Sequence, residues 1–271
     1  MGIDVRDYWN FDDPAASEGI FRQLIEDGSL TVNGHLEVWA QIARTHSLRG
    51  DCEQCHQILD EKWDHAMAAE GRPMASFQLE RGRAFRTGKE LDKATPYFKL
   101  AAESEVDDLK VDALHMLAID ADTAESLRIN LVALEFAQAS PNPWAQRWQG
   151  TLYNNMGWSC FGVNKFNEAL VCFENAVAER EKYGKDGPIR IAKWCVGRCH
   201  RALGNLDKAF DIQSELVGPD ASGFVYEELG EILFAQGKSD PAKPHFAKAV
   251  AMLQDDLGAE SERITRLKSL G

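Results

Sequence analysis

The residues closest to chemistry in this sequence are Cys52-Glu-Gln-Cys55-His56, with His46 nearby. Cys-x-x-Cys spacing suits half of a tetrahedral zinc site. A closed site needs further ligands, and no second cysteine pair lies near it in a segment that reads as helix. The expectation is therefore buried thiols behaving as small hydrophobes, with no metal. Cys195, Cys199 and His200 share one helix with the cysteines four apart, which suits a core or groove-wall role. Two glycine-lysine sequences, Gly82 to Gly88-Lys89 and Gly230 to Gly237-Lys238-Ser239, have five and six intervening residues. A phosphate loop needs four, after a strand, so both read as inter-helix turns. No His-Glu-x-x-His is present and no nucleophile stands in a strand–turn–helix setting. The sequence thus predicts no catalytic residue, no cofactor and no enzyme, although scattered Asp, His and Ser could still converge in space.

Composition narrows the partners. The 271 residues carry a net charge of −13, and the pI near 5.0 argues against nucleic acid or an anionic membrane as main partner, because both would repel the molecule. The first ten residues are acidic and lack the basic and apolar runs of a secretory signal, and no stretch approaches a membrane span. A soluble cytoplasmic protein is expected. Six cysteines in a chain this long are too few for a disulfide scaffold.

The elements that position any site must be helices, since no stretch alternates polar and apolar residues long enough for a sheet. They repeat. From Gly157, a turn residue follows at +7 (Asn164), then Ala169 at +12, Phe173 at +16 and Ala176 at +19. Gly230 gives Gly237, Ala242, Phe246 and Ala249 in the same places. Gly82 gives Ala94, Phe98 and Ala101, with its turn glycine, Gly88, one residue early. Weaker copies start at Ala43 (Gly50, Cys55, Leu59), Ala118 (Asn130, Leu134, Ala137) and Gly197 (Gly204, Ala209, Gln213, Leu216). Two antiparallel helices approach closely only where side chains are small, and a large residue then fills the space toward the next pair. Asp92, Asn167, Asp207 and Asp240, two residues before the second-helix alanine, are expected to cap that helix. Pro96 and Pro244 fall early enough in it to cost about one backbone bond.

On these six frames the chain resembles the tetratricopeptide repeat family over roughly residues 35–254. Spacings of 39, 36, 39, 40 and 33 depart from the family's 34-residue norm and are similar to the long-helix repeats of kinesin light chains. Extended helices are predicted from Pro143 through Trp144, Trp148 and Tyr153 to Phe161, and from Pro188 through Trp194 to Leu203. Residues 13–27 read as a lone second helix, with Ser17, Phe21 and Leu24 in its frame, and 255–271 as a polar capping helix around Ile264 and Leu267. The resemblance implies one all-α domain over 1–271, a right-handed superhelical solenoid of antiparallel helix pairs with about fourteen helices.

In that family the concave groove is lined by residues beside the small position of each first helix. Carried onto this chain, the residues after the small one are Arg44, Arg83, Ile119, Trp158, Arg198 and Glu231. Arg86, Phe161, Arg201 and Phe234 stand three further on, and His115, Asn154, Asn155, Trp194, Glu227 and Glu228 on the preceding turn. Arginine forks onto carboxylates, amides pair with a peptide backbone and indoles give rigid apolar contact. The resemblance therefore implies a scaffold or adaptor holding a protein or peptide, with an acidic segment along Arg44, Arg83, Arg86, Arg198 and Arg201. Glu227, Glu228 and Glu231 would make the groove bipolar. The alternatives are plain solvated or packing faces, and a ligand-responsive receptor similar to bacterial helical-repeat peptide sensors.

Overall fold

The computed structural model describes residues 4–271. Among these residues every regular element is helical. After a 3₁₀ turn, Val5–Tyr8, come α1 (Pro14–Glu26), α2 (Val32–Leu48), α3 (Cys52–Ala69), α4 (Gly71–Thr87), α5 (Leu91–Ala102), α6 (Asp107–Asp120), α7 (Thr123–Ala139) and α8 (Pro143–Gln146). They are followed by α9 (Gln149–Gly162), α10 (Phe166–Glu181), α11 (Asp186–Ala202), α12 (Leu206–Glu215), α13 (Gly223–Ala235), α14 (Ser239–Leu257) and α15 (Glu262–Leu270). Contacts gather these elements into two compact units, one ending at Gln149 and the other running from Gly150 to Gly271.

The first unit stacks the antiparallel pairs α2/α3, α4/α5 and α6/α7, with α1 packed on α2 and α8 on α6. The second stacks α11/α12 and α13/α14, with α10 against α11 and α15 against α14. The pair α9/α10 is fixed by its side chains: a Cβ added at Gly157 would lie 2.5 Å from the Phe173 ring.

The same close approach recurs in the other two strong frames and in the weaker one at Gly197. A Cβ at Gly82 would meet the Phe98 ring at 2.5 Å, one at Gly230 the Phe246 ring at 2.7 Å, and one at Gly197 the Gln213 amide at 2.6 Å. The +16 residue therefore covers the small residue of its own pair, not the gap toward the next pair as the sequence suggested. The reason is steric: only hydrogen on the first helix leaves room for a ring, and Phe98, Phe173 and Phe246 are buried there. Each such phenylalanine contributes roughly 2–3 kcal/mol of apolar burial.

The turns obey the frame more closely than the residue types indicate. Position +7 is left-handed at Gly50, Asn164, Gly204 and Gly237, and also at Lys89, with φ of +64°. Gly88, the expected turn glycine, has φ of −71°. Helix starts follow from this turn, so Asp92, Asn167, Asp207 and Asp240 sit at the second position of α5, α10, α12 and α14. They make no side-chain cap; their position in the first turn instead favours the acids among them through the helix dipole. Side-chain caps occur elsewhere, at Asp13, Thr31, Asp51, Asp122, Asn142 and Ser261.

The predicted helix from Pro143 to Phe161 is broken into α8 and α9. The Trp148 N–H turns back to the Ala145 carbonyl at 3.1 Å, and the Trp148 ring packs on His115 with centroids 5.0 Å apart. By contrast the helix around Pro188 is continuous and begins two residues earlier, at Asp186. The terminal helix α15 does more than cap: Ile264 and Leu267 are fully buried against the α13/α14 core.

Candidate functional site

In the first unit the small frame positions place Arg44 on α2, and Arg83 and Arg86 on α4, around a recess of about 170 Å³ that also touches Ser47, Thr87 and Met116. These arginines are matched by carboxylates of neighbouring first helices. Arg83 pairs with Glu80 of its own helix and Asp112 of α6. Arg86 Nε lies 2.9 and 3.0 Å from the two Asp120 oxygens. Burial works against the Arg83 charge, but Asp112 and Glu80 outweigh it and raise its pKa. Arg44 is held loosely: its Nη1 is 3.6 Å from Glu80 Oε1 and its buried Nε has no partner. Burial, and then the Arg83 charge, pull the Arg44 pKa down. His115 is kept toward its neutral form by burial.

In the second unit α9 and α11 bring Trp158 and Trp194 to 5.9 Å between ring centroids, with Phe161 5.5 Å from Trp158. The Arg198 guanidinium carbon sits 5.3 to 5.6 Å from all three rings, a cation held among aromatic faces. Its ion pair with Glu228 is long, 3.6 Å, and its buried Nε has no partner. Arg201 instead grips Glu228 through two bonds of 2.6 and 3.0 Å. Burial opposes the Arg201 charge, but the bonds to Glu228 outweigh it and raise its pKa. Asn154 accepts weakly from the Cys195 thiol at 3.8 Å. Asn155, two positions before Gly157, is half-buried on the same helix.

The structure alters the expected electrostatics. Glu227 is paired with Arg263 at 2.9 and 2.6 Å and Glu231 with Arg266, both from α15. The acidic end is thus neutralised within the second unit, and the arginines of each unit are largely committed to internal carboxylates. Sequence reasoning missed those carboxylates. The signal was present: Glu80 and Glu228 both stand two residues before the small position of their frames, and Arg44 and Arg198 one residue after it in the preceding frame. Both glutamates are only 2% exposed.

Cys55, Cys195 and Cys199 are buried as the frame implies, whereas Cys52, at the first position of α3, is only half-buried. Burial pushes Cys195 and Cys199 up to about 12 and raises the Cys55 thiol well above its ordinary range. His46 turns to Glu18 and Asp51, at 3.3 and 3.2 Å. Among the described residues no group of three His, Cys, Asp or Glu is placed to hold a metal, and no helix is long and apolar enough to cross a membrane.

No protein-family model matches the chain, and no curated protein matches it. Solved structures do. One is a signal-transduction ATPase with numerous domains and a tetratricopeptide repeat sensor, from Pyrococcus horikoshii, at TM-score 0.69 and 13% identity; the match covers 96% of this chain and 44% of that one. A tetratricopeptide repeat protein from Parabacteroides merdae matches at TM-score 0.54 and 15% identity, over 98% of this chain and 95% of that one. The C-terminal part of a TPR repeat-containing protein from Cytophaga hutchinsonii matches at TM-score 0.50 and 9% identity, over 97% and 99%. The fold is that of the tetratricopeptide-like helical repeats.

Proposed function

We propose that this tetratricopeptide-like chain is a scaffold or adaptor, not an enzyme, that holds a protein or peptide partner on its first-helix faces. The observation that carries the reading is the cluster of Trp158, Phe161, Trp194 and Arg198 in the second unit, half-buried and rigidly packed. Aromatic and arginine side chains of this kind dominate binding energy when a ligand desolvates them. The acidic-segment idea takes a narrower form. Arg201 is already committed to Glu228, whereas Arg198 has an unpartnered Nε and a long ion pair. A ligand carboxylate would therefore be received at Arg198, between apolar contacts to the two indoles.

Selection of random twelve-residue peptides on the immobilised chain tests this. The expected winners combine a carboxylate with apolar residues. Replacing Arg198 with Ala should weaken them by about 30-fold, on the order of 2 kcal/mol, and Trp194→Ala by a similar factor, with folding checked by circular dichroism. Peptides that bind both variants as tightly as the parent chain would overturn the reading.

A further inference from the structure

Residues 4–11 belong to no helix pair, yet they are held against the first-helix face of the first unit by contacts with four of its helices. The Arg6 guanidinium donates to Asp108 Oδ2 of α6 at 3.0 Å and stacks 3.9 Å over the Trp144 ring of α8. Trp9 donates its indole N–H to Gln41 Oε1 of α2 at 2.9 Å and meets the Phe21 ring of α1 edge-on at 5.3 Å. Phe11 stacks on Trp9 at 4.7 Å with the rings 3° from parallel. Both rings lie 5.5 Å from the Arg44 guanidinium. Val5 is buried in the hydrophobic cluster that includes Phe21 and against which Trp9 packs. Within the segment, Asp4 binds the Arg6 side chain at 2.6 and 2.8 Å, which presets the shape it docks in.

Two of the contacted residues, Gln41 and Arg44, are groove positions by the repeat frame. Gln41 stands two residues before Ala43 and Arg44 one after it, the same places as Cys195 and Arg198 around Gly197. In the second unit Arg198 receives its aromatic surround from the helices themselves. In the first unit Arg44 receives it from Trp9 and Phe11, so these two residues fill the role of a ligand.

We propose that the first-helix face of the first unit is a docking groove for an extended segment of the pattern Arg-x-x-Trp-x-aromatic, and that residues 4–11 are its intramolecular occupant. A partner carrying the same chemistry, a cation followed three residues later by an indole, displaces them. Asp108 and Gln41 read the cation and the indole N–H, and Arg44 reads the aromatic pair. The proposal rests on the reading of first-helix faces as binding surfaces, but it concerns a different unit and a different ligand. Tethering gives residues 4–11 an effective concentration near the millimolar range. An untethered peptide should therefore bind poorly until the resident segment is disabled.

The test uses the full chain carrying Arg6→Ala and Trp9→Ala and a fluorescent acetylated peptide of residues 4–13. Fluorescence polarisation should show at least tenfold tighter uptake by this variant than by the unaltered chain. A peptide with the same two alanines should not bind, and adding Gln41→Ala and Asp108→Asn to the receptor should abolish uptake. Making every receptor comparison in an Arg198→Ala background removes uptake of this acidic, aromatic peptide at the second-unit cluster, so failure here is distinguishable from failure of the second-unit reading. A folded double variant that takes up the peptide no better than the parent would overturn the proposal. If the double variant does not fold, a protease site inserted between Asp12 and Asp13 of the otherwise unaltered chain decides the matter. Exchange of the cleaved segment for labelled peptide supports exchangeable docking, and no exchange overturns it.

Discussion

The two units solve one electrostatic problem with different parts. Each places an arginine just after the small residue of one first helix and a buried glutamate just before the small residue of the next: Arg44 with Glu80, Arg198 with Glu228, both at 3.6 Å. In the first unit Glu80 shares its second arginine, Arg83, with Asp112. In the second, Arg198 and Arg201 both rely on Glu228. A buried carboxylate serving two cations is hard to replace, whereas one backed by another acid is less so. The aromatic surround differs in the same sense, intrinsic to α9 and α11 in the second unit and lent by residues 4–11 in the first.

The largest expected effect follows from that asymmetry. Glu228→Ala strands two partly buried guanidiniums and should destabilise the second unit by about 3–5 kcal/mol. Glu80→Ala leaves Arg83 with Asp112 and should cost roughly 1–3 kcal/mol. Urea unfolding, read alongside amide hydrogen exchange in α4 and α11, measures both. Equal losses would mean that Asp112 does not compensate and that the two sites are energetically alike.

A smaller effect sharpens the comparison within the first unit. Glu37 of α2 faces Arg72 of α4 at 3.5 Å, but Arg72 also serves Asp108. Burial first, with Asp108 and Asp4 adding to it and Arg72 and Arg6 opposing, raises the Glu37 pKa from 4.5 to about 7. Between those values the folded chain binds more protons than the unfolded one, so stability falls as pH rises through the window and levels off above it. At about 1.4 kcal/mol per pKa unit, and allowing for relaxation, the loss from pH 5 to pH 8 should be on the order of 1–2 kcal/mol. Glu37→Gln should remove that part of the slope. A profile unchanged by the substitution would show that Glu37 is adequately paired.

The repeat was legible because its determinants are local. Gly157 and Phe173, or Gly230 and Phe246, lie within one helix pair, and small-against-large complementarity leaves a spacing that can be read directly. The ion pairs were not legible as pairs, although the arginines were visible. Arg198 and Glu228 are thirty residues apart on successive first helices, and only the stacking of one pair on the next brings them together. The helix starts were misplaced because the left-handed turn, rather than a polar side chain, sets them. Residues 4–11 have no period to detect; an Arg, a Trp and a Phe outside any frame were the available sign.

The smallest effect tests whether position +7 is a property of the frame or of its residue. Lys89 takes φ of +64° where Gly50, Gly204 and Gly237 supply the same conformation. For a side chain bearing a Cβ this region is strained, and glycine relieves the strain at some cost in unfolded-state entropy. Lys89→Gly should therefore stabilise the first unit by about 0.5–1 kcal/mol, seen as a rise in the unfolding midpoint. Gly204→Ala, the reverse change at the equivalent turn of the second unit, should destabilise it by about 1 kcal/mol. Opposite signs at two turns of one geometry would locate the requirement in the backbone of the repeat. A loss of stability in Lys89→Gly would instead place it in contacts of the lysine side chain.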